Sequence, residues 1–128
     1  MEVMTENQLT GKIIDCVYRV YFGLGPGLLE SVYEKVLLYE LNKAGLKARC
    51  QVPVPIVYDG VEFGNQELRA DIIVEDSVII ELKSVEELKR VYYKQLLTYL
   101  RLMHLHIGLL INFNTAMLKD NIHRIIND

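Results

Sequence analysis

The chain has 128 residues, 51% of them hydrophobic and 24% charged, a composition that sets disorder aside and supports one compact domain over residues 1–128. Its 14 basic and 17 acidic residues give a formal charge of −3, which excludes a surface that attracts nucleic acid everywhere but leaves room for a local basic groove. No run approaches the roughly 18 uninterrupted apolar residues of a membrane span, and the start Met1-Glu2-Val3-Met4-Thr5-Glu6 lacks the basic and apolar pattern of a secretion signal, so the expectation is a cytoplasmic protein with no membrane contact.

Ile13, Ile14, Val17, Val20 and Tyr21 recur at helical spacing, with Lys12, Asp15 and Arg19 on the other side, which predicts an amphipathic helix over residues 8–22. Gly23-Leu24-Gly25-Pro26-Gly27 ends it. This loop lacks both the Gly-Lys-Ser/Thr ending and the preceding strand of a phosphate-binding loop, so it reads as a turn into a second helix over residues 28–44, closed by Gly45. Residues 49–58 have strand composition, but Pro53 and Pro55 remove two amides from one side, as an edge strand tolerates. Asp59-Gly60 is a hairpin turn signal, and residues 61–63, 68–74 and 78–83 continue a meander, the last two joined by Glu75-Asp76-Ser77. Helix resumes over residues 86–104, where Leu88, Val91, Tyr92, Gln95, Leu96, Tyr99, Leu102 and Met103 share a face. Residues 107–113 are a continuous apolar run, as in a strand covered on both sides, and a short helix over residues 118–126 completes the order. Cys16 and Cys50 have no CxxC spacing and read as buried free thiols.

The chemistry concentrates in Val78-Ile79-Ile80-Glu81-Leu82-Lys83. Alternation puts Glu81 and Lys83 on one face, about 7 Å apart along the chain. Asp71, one strand earlier, stands at the mouth of another apolar run, and pairing through the intervening turn brings it to the same end of the sheet as Glu81. Two neighbouring carboxylates resist joint ionisation unless a cation compensates them, which magnesium with oxygen ligands does; the Leu82 carbonyl can add an oxygen. The competing reading is an ion pair on an exposed sheet face, worth about 0 to 1 kcal/mol. Glu30 shares a helical stripe with Leu37 and Leu41, so it is expected to point inward.

Ala70-Asp71, nine residues, and Glu81-Leu82-Lys83 resemble the acid and E-x-K elements of the PD-(D/E)XK nuclease superfamily, with alanine where the superfamily name has proline. Gln95 and Tyr99 match the Q-x-x-x-Y element of its RecB-like branch. Gly27-Leu28-Leu29-Glu30-Ser31-Val32-Tyr33 matches the motif that names the GxxExxY family. The resemblance implies an α/β fold with a restriction-endonuclease-like core over residues 28–114, a mixed sheet of four to five strands flanked by helices. It further implies Mg2+ (or Mn2+) held by Asp71, Glu81 and the Leu82 carbonyl, with Lys83 positioning or deprotonating the attacking water and Glu30 supporting the metal. Gln95, Tyr99 and Tyr33 would hold the site or contact substrate. The implied activity is hydrolysis of phosphodiester bonds in nucleic acid. A catalytically silent module of the same fold, binding a protein or nucleic acid, is the alternative. The oligomeric state is left open, a homo-oligomer included.

Overall fold

The structure is a computed structural model that describes residues 3–128. Met1 and Glu2, on which part of the reading of the chain's start rests, lie outside the described residues. Helix α1 (Glu6–Leu24) and helix α2 (Glu30–Lys43) precede strands β1 (Ala48–Pro53), β2 (Ile56–Tyr58), β3 (Val61–Gly64), β4 (Arg69–Val74) and β5 (Val78–Lys83). Helix α3 (Arg90–Met103), strand β6 (Ile107–Asn112), a 3-10 turn at Leu118–Asn121 and strand β7 (Ile122–Ile126) follow. Helix α1 begins two residues before the expected start because Thr5 and Gln8 form a capping box. The Gln8 N–H donates to Thr5 Oγ1 at 3.1 Å, and the Thr5 N–H donates to Gln8 Oε1 at 2.9 Å, satisfying two amides that have no partner inside the helix.

The main sheet has five strands in the order β1-β4-β5-β6-β7. β5 and β6 run parallel, joined through α3, and the other neighbours are antiparallel. Helices α1 and α2 cover one face, where Ile13, Val17, Leu37 and Leu41 pack with Ile72, Ile80, Leu82 and Leu109. Helix α3 covers the other, with Leu96 and Leu100 against Ile73, Ile79 and Leu110. Over the described residues the fold is thus mixed α/β, a five-stranded mixed sheet flanked by three helices. β6 is buried along all six residues, as its apolar run predicts, and β1 lies at the sheet edge, where its terminal Pro53 is harmless.

Four expectations are corrected. The short C-terminal helix over residues 118–126 does not form: the segment is a 3-10 turn and then β7, antiparallel to β6 from Ile111↔Ile122 to Ile107↔Ile126. A lone short helix is marginal in water, whereas a strand here satisfies the backbone edge of β6 and packs Ile122 and Ile125 against the two core faces. Residues 49–58 are not one strand, because β1 ends at Pro53 and β2–β3 form a separate two-stranded sheet, so β4 returns to pair with β1 rather than extending a meander. Helix α3 starts at Arg90 rather than residue 86. Cys16 is buried but Cys50, on the edge strand, is exposed. Among the described residues no helix is long and apolar enough to cross a membrane.

Candidate active site

The β4–β5 ladder runs Val74↔Val78, Ile73↔Ile79, Ile72↔Ile80 and stops. The next row is Asp71 and Glu81. On the other side of β4 the pairing also omits this row: Cys50↔Ile72 and Val52↔Ala70 are partners, and Gln51 and Asp71 between them are not. Gln51 has φ 51°, a left-handed backbone uncommon outside glycine, and it turns out of the ladder there. Asp71 therefore sits where β4 has lost regular partners on both flanks, and its half-buried amide needs another acceptor.

Each acid supplies what the ladder omits. The Asp71 N–H donates to Glu81 Oε2 at 3.0 Å, and the Leu82 N–H donates to Asp71 Oδ2 at 2.8 Å. The two side chains fill the gap between the strands and touch. Glu81 is only 7% exposed. Burial pushes its pKa up to about 9; the charge of Asp71 and the hydrogen bond between the two carboxyls add to this, while the Asp71 amide and the Lys83 ammonium act against it and lose. At neutral pH without a cation, Glu81 keeps its proton.

Lys83 lies two residues further along β5, half-buried, with its ammonium over the Tyr92 ring at 4.4 Å from the centroid. This contact holds the amine without neutralising it. The Phe113 N–H donates to the Lys83 carbonyl at 3.0 Å, so the backbone of Lys83 faces β6. Its neighbour Leu82 faces the other way, and the Leu82 carbonyl is directed with its N–H toward β4 and the acid gap.

Glu30 is exposed, contrary to the inward orientation expected from its helical stripe. As the first residue of α2 it projects past the end of β5, where its Oε2 accepts from the Ser84 N–H at 3.4 Å. Ser84 Oγ in turn donates to the Leu28 carbonyl at 2.5 Å. Tyr33 is fully buried and stacked on Phe113, with ring centroids 4.3 Å apart. Its hydroxyl donates to the Gly25 carbonyl at 2.5 Å and accepts from the Leu28 N–H at 3.2 Å. In the motif Gly27, Glu30, Tyr33, the glycine supplies a φ of 96° that other residues rarely adopt. The tyrosine braces the loop, and the glutamate ties α2 to the residue after Lys83.

On α3, exposed Gln95 donates through Nε2 to the Tyr99 hydroxyl at 3.0 Å. Tyr99 is buried; burial pushes its pKa up, the Gln95 bond opposes this, and the charges of Glu81 and Asp71 add to it. Tyr99 thus feels the charge of both acids, and Gln95 bonds to Tyr99.

Three residues of the site carried no expectation. Asn112, 1% exposed, pins the segment after Lys83 to the end of β6: its Oδ1 accepts from the Val85 N–H at 3.1 Å and its Nδ2 donates to the Val85 carbonyl at 2.9 Å. Its signal was present, as the polar residue of the run 107–113. Gln51 Nε2 donates to Glu34 Oε1 at 2.7 Å, which seats an α2 carboxylate beside the Gln51–Asp71 row. Glu34 lies four residues after Glu30 on the same helix face. Gln51 sits between an exposed Cys50 and a buried Val52 with nothing in its sequence context to mark it.

Among the described residues no group of three or more His, Cys, Asp and Glu side chains is arranged to hold a metal ion. The donors that do converge, two carboxyl groups and the Leu82 carbonyl, are all oxygen. They suit a cation of the magnesium type, which binds through one or two carboxylates and takes its remaining ligands from water or substrate phosphate. Burial first, and then the charge of Asp71, raise the pKa of Glu81, and a cation bound between the two carboxyls would act in the opposite direction. No curated protein and no solved structure matches the chain. The profile of the PD-(D/E)XK nuclease superfamily matches residues 7–125, from the first turns of α1 into β7, and the chain belongs to that superfamily.

Proposed function

We propose that this protein is a metal-dependent nuclease that hydrolyses phosphodiester bonds of nucleic acid, with Mg2+ or Mn2+ held by Asp71, Glu81 and the Leu82 carbonyl. The observation that carries the reading is the reciprocal arrangement of the two acids in the gap where the β4 ladder breaks. A bound cation would polarise the phosphate and lower the pKa of the attacking water. Asp71 and Glu81 are pre-placed by backbone amides, so little side-chain ordering remains to be done when charge arrives. Glu81 has to release its proton as the cation enters, and the neighbouring Lys83 ammonium favours that release. Lys83, steadied over Tyr92, is placed two residues past the ligand, where its ammonium can donate to and orient the attacking water. Glu30 and Ser84 fix the end of β5, and the Gln95–Tyr99 pair closes the α3 side. Gly27, Glu30 and Tyr33, with their complementary local tasks, support assignment to the GxxExxY family, and Gln95 with Tyr99 supports the RecB-like branch.

The test is incubation of the purified protein with single- and double-stranded DNA and RNA, with Mg2+ or Mn2+ or with chelator. Cleavage is expected only with metal. Lys83→Ala should lower it by about 100-fold or more while the metal still raises the melting temperature, because lysine is not a ligand. Metal-induced stabilisation with no cleavage of any substrate would point instead to the silent binding module. Neither stabilisation nor cleavage would leave an ion-paired structural protein.

A further inference from the structure

We infer that Glu34, held by Gln51, is a positioning residue of the acid centre that strengthens its grip on a divalent cation without touching the reacting atoms; this rests on the metal-dependent reading above. The sheet order puts β4, carrying Asp71, between β1, carrying Gln51, and β5, carrying Glu81. Helix α2 crosses these three strand ends, since Glu30 bonds to Ser84 just beyond β5 and Glu34, one turn later, bonds to Gln51 on β1. The edge of α2 between these two anchors therefore passes over the interrupted row in which Asp71 and Glu81 meet.

Gln51 is built for this task in a way that an ordinary edge residue is not. Its left-handed backbone withdraws it from pairing with Asp71, and Arg69 fixes the new course by donating from Nη1 to the Gln51 carbonyl at 3.1 Å. The freed side chain reaches Glu34 at 2.7 Å. Burial raises the pKa of Glu34, the Gln51 hydrogen bond opposes this, and the charge of Asp71 adds to the rise. A carboxylate so placed adds negative field at the ligands, and residues outside a metal's own ligand set change its affinity by about 10-fold or more.

The experiment is a titration of the whole protein with MnCl2 or MgCl2, read by thermal shift and by calorimetry, with cleavage followed in parallel at saturating metal. Glu34→Gln keeps the size and can still accept from Gln51 but loses the charge. It should raise the half-saturating metal concentration by about 10-fold and leave the cleavage rate at saturating metal near wild type. Gln51→Ala keeps the charge but frees it, and should weaken binding in the same direction by less. Asp15→Asn, an acid removed from α1 instead, should leave binding unchanged. Wild-type affinity in Glu34→Gln overturns the inference, as does a loss of saturating rate as deep as that of Glu81→Gln. A wild-type protein that binds no metal overturns both this inference and the proposed function, whereas normal wild-type binding with an indifferent Glu34→Gln overturns the inference alone.

Discussion

Glu81 combines 7% exposure with a pKa pushed up to about 9, and this sets its own contribution to the pH response of the metal-free protein. In the unfolded chain the same carboxyl titrates near 4.5. Below that pH both states hold the proton and the contribution of Glu81 to stability is fully present. As pH rises from about 4.5 toward about 9 the native state retains a proton that the unfolded chain has lost, so the contribution declines across that window. Chemical denaturation in chelator should therefore show wild type losing stability between pH 5 and pH 8 relative to Glu81→Gln, whose amide does not titrate. A difference between the two proteins that stays flat, or grows in favour of wild type with pH, would contradict the burial of a protonated Glu81. Metal binding should show the opposite trend, tightening with pH as the competing proton becomes easier to remove. The residues behind this behaviour were legible to different degrees. Asp71, Glu81 and Lys83 stood out because charges inside apolar strand runs are rare, but Gln51 did not, since no local pattern announces a left-handed residue on an edge strand.

At the scale of elements, α3 is seated on β6 through Gly108. A Cβ there would lie 2.9 Å from Leu96 Cδ1 and 3.0 Å from Cγ, and Leu96 is fully buried, so its side chain has to shift within the packed layer. Gly108→Ala is expected to cost about 1 to 3 kcal/mol through overpacking, more than the about 0.4 to 1 kcal/mol gained by restricting the unfolded chain. Urea denaturation measures this, and a stabilised variant would mean that α3 packs elsewhere. The loop before α2 depends on the Tyr33 hydroxyl, and Tyr33→Phe should cost about 1 kcal/mol, the low end for lost hydrogen bonds, because the exposed Leu28 amide can turn to water. An unchanged stability would remove the bracing role. Most elements were readable from periodicity and breakers, with ends misplaced where a side chain decides them. Thr5 and Gln8 extend α1, and the Asn112 staple keeps residues 84–89 out of α3, an interaction between segments 27 residues apart that no local window contains.

For the whole molecule, the misread element was β7, because Leu118, Ile122, Ile125 and Ile126 fit helical spacing as well as a strand. What decided between them was distant: β6 needs a partner along its free edge, a demand visible only once the sheet is assembled. Ending the chain after residue 121 removes β7 and leaves that edge bare, so the truncated protein is expected to lose its cooperative melt and self-associate, as circular dichroism and sedimentation would show. A cooperative, monomeric truncation would mean that the fold closes without β7. The same assembly brings Asp71 and Glu81 to one break in the sheet, and the proposal that they share a cation is tested most directly by anomalous diffraction from crystals soaked in manganese. The expected result is a peak between the two side chains, at about 2.0 to 2.6 Å from an oxygen of each and from the Leu82 carbonyl, absent from Glu81→Gln crystals. Crystals that show no peak at millimolar manganese, with both carboxyls still bonded to the opposite strand's amide, would contradict it.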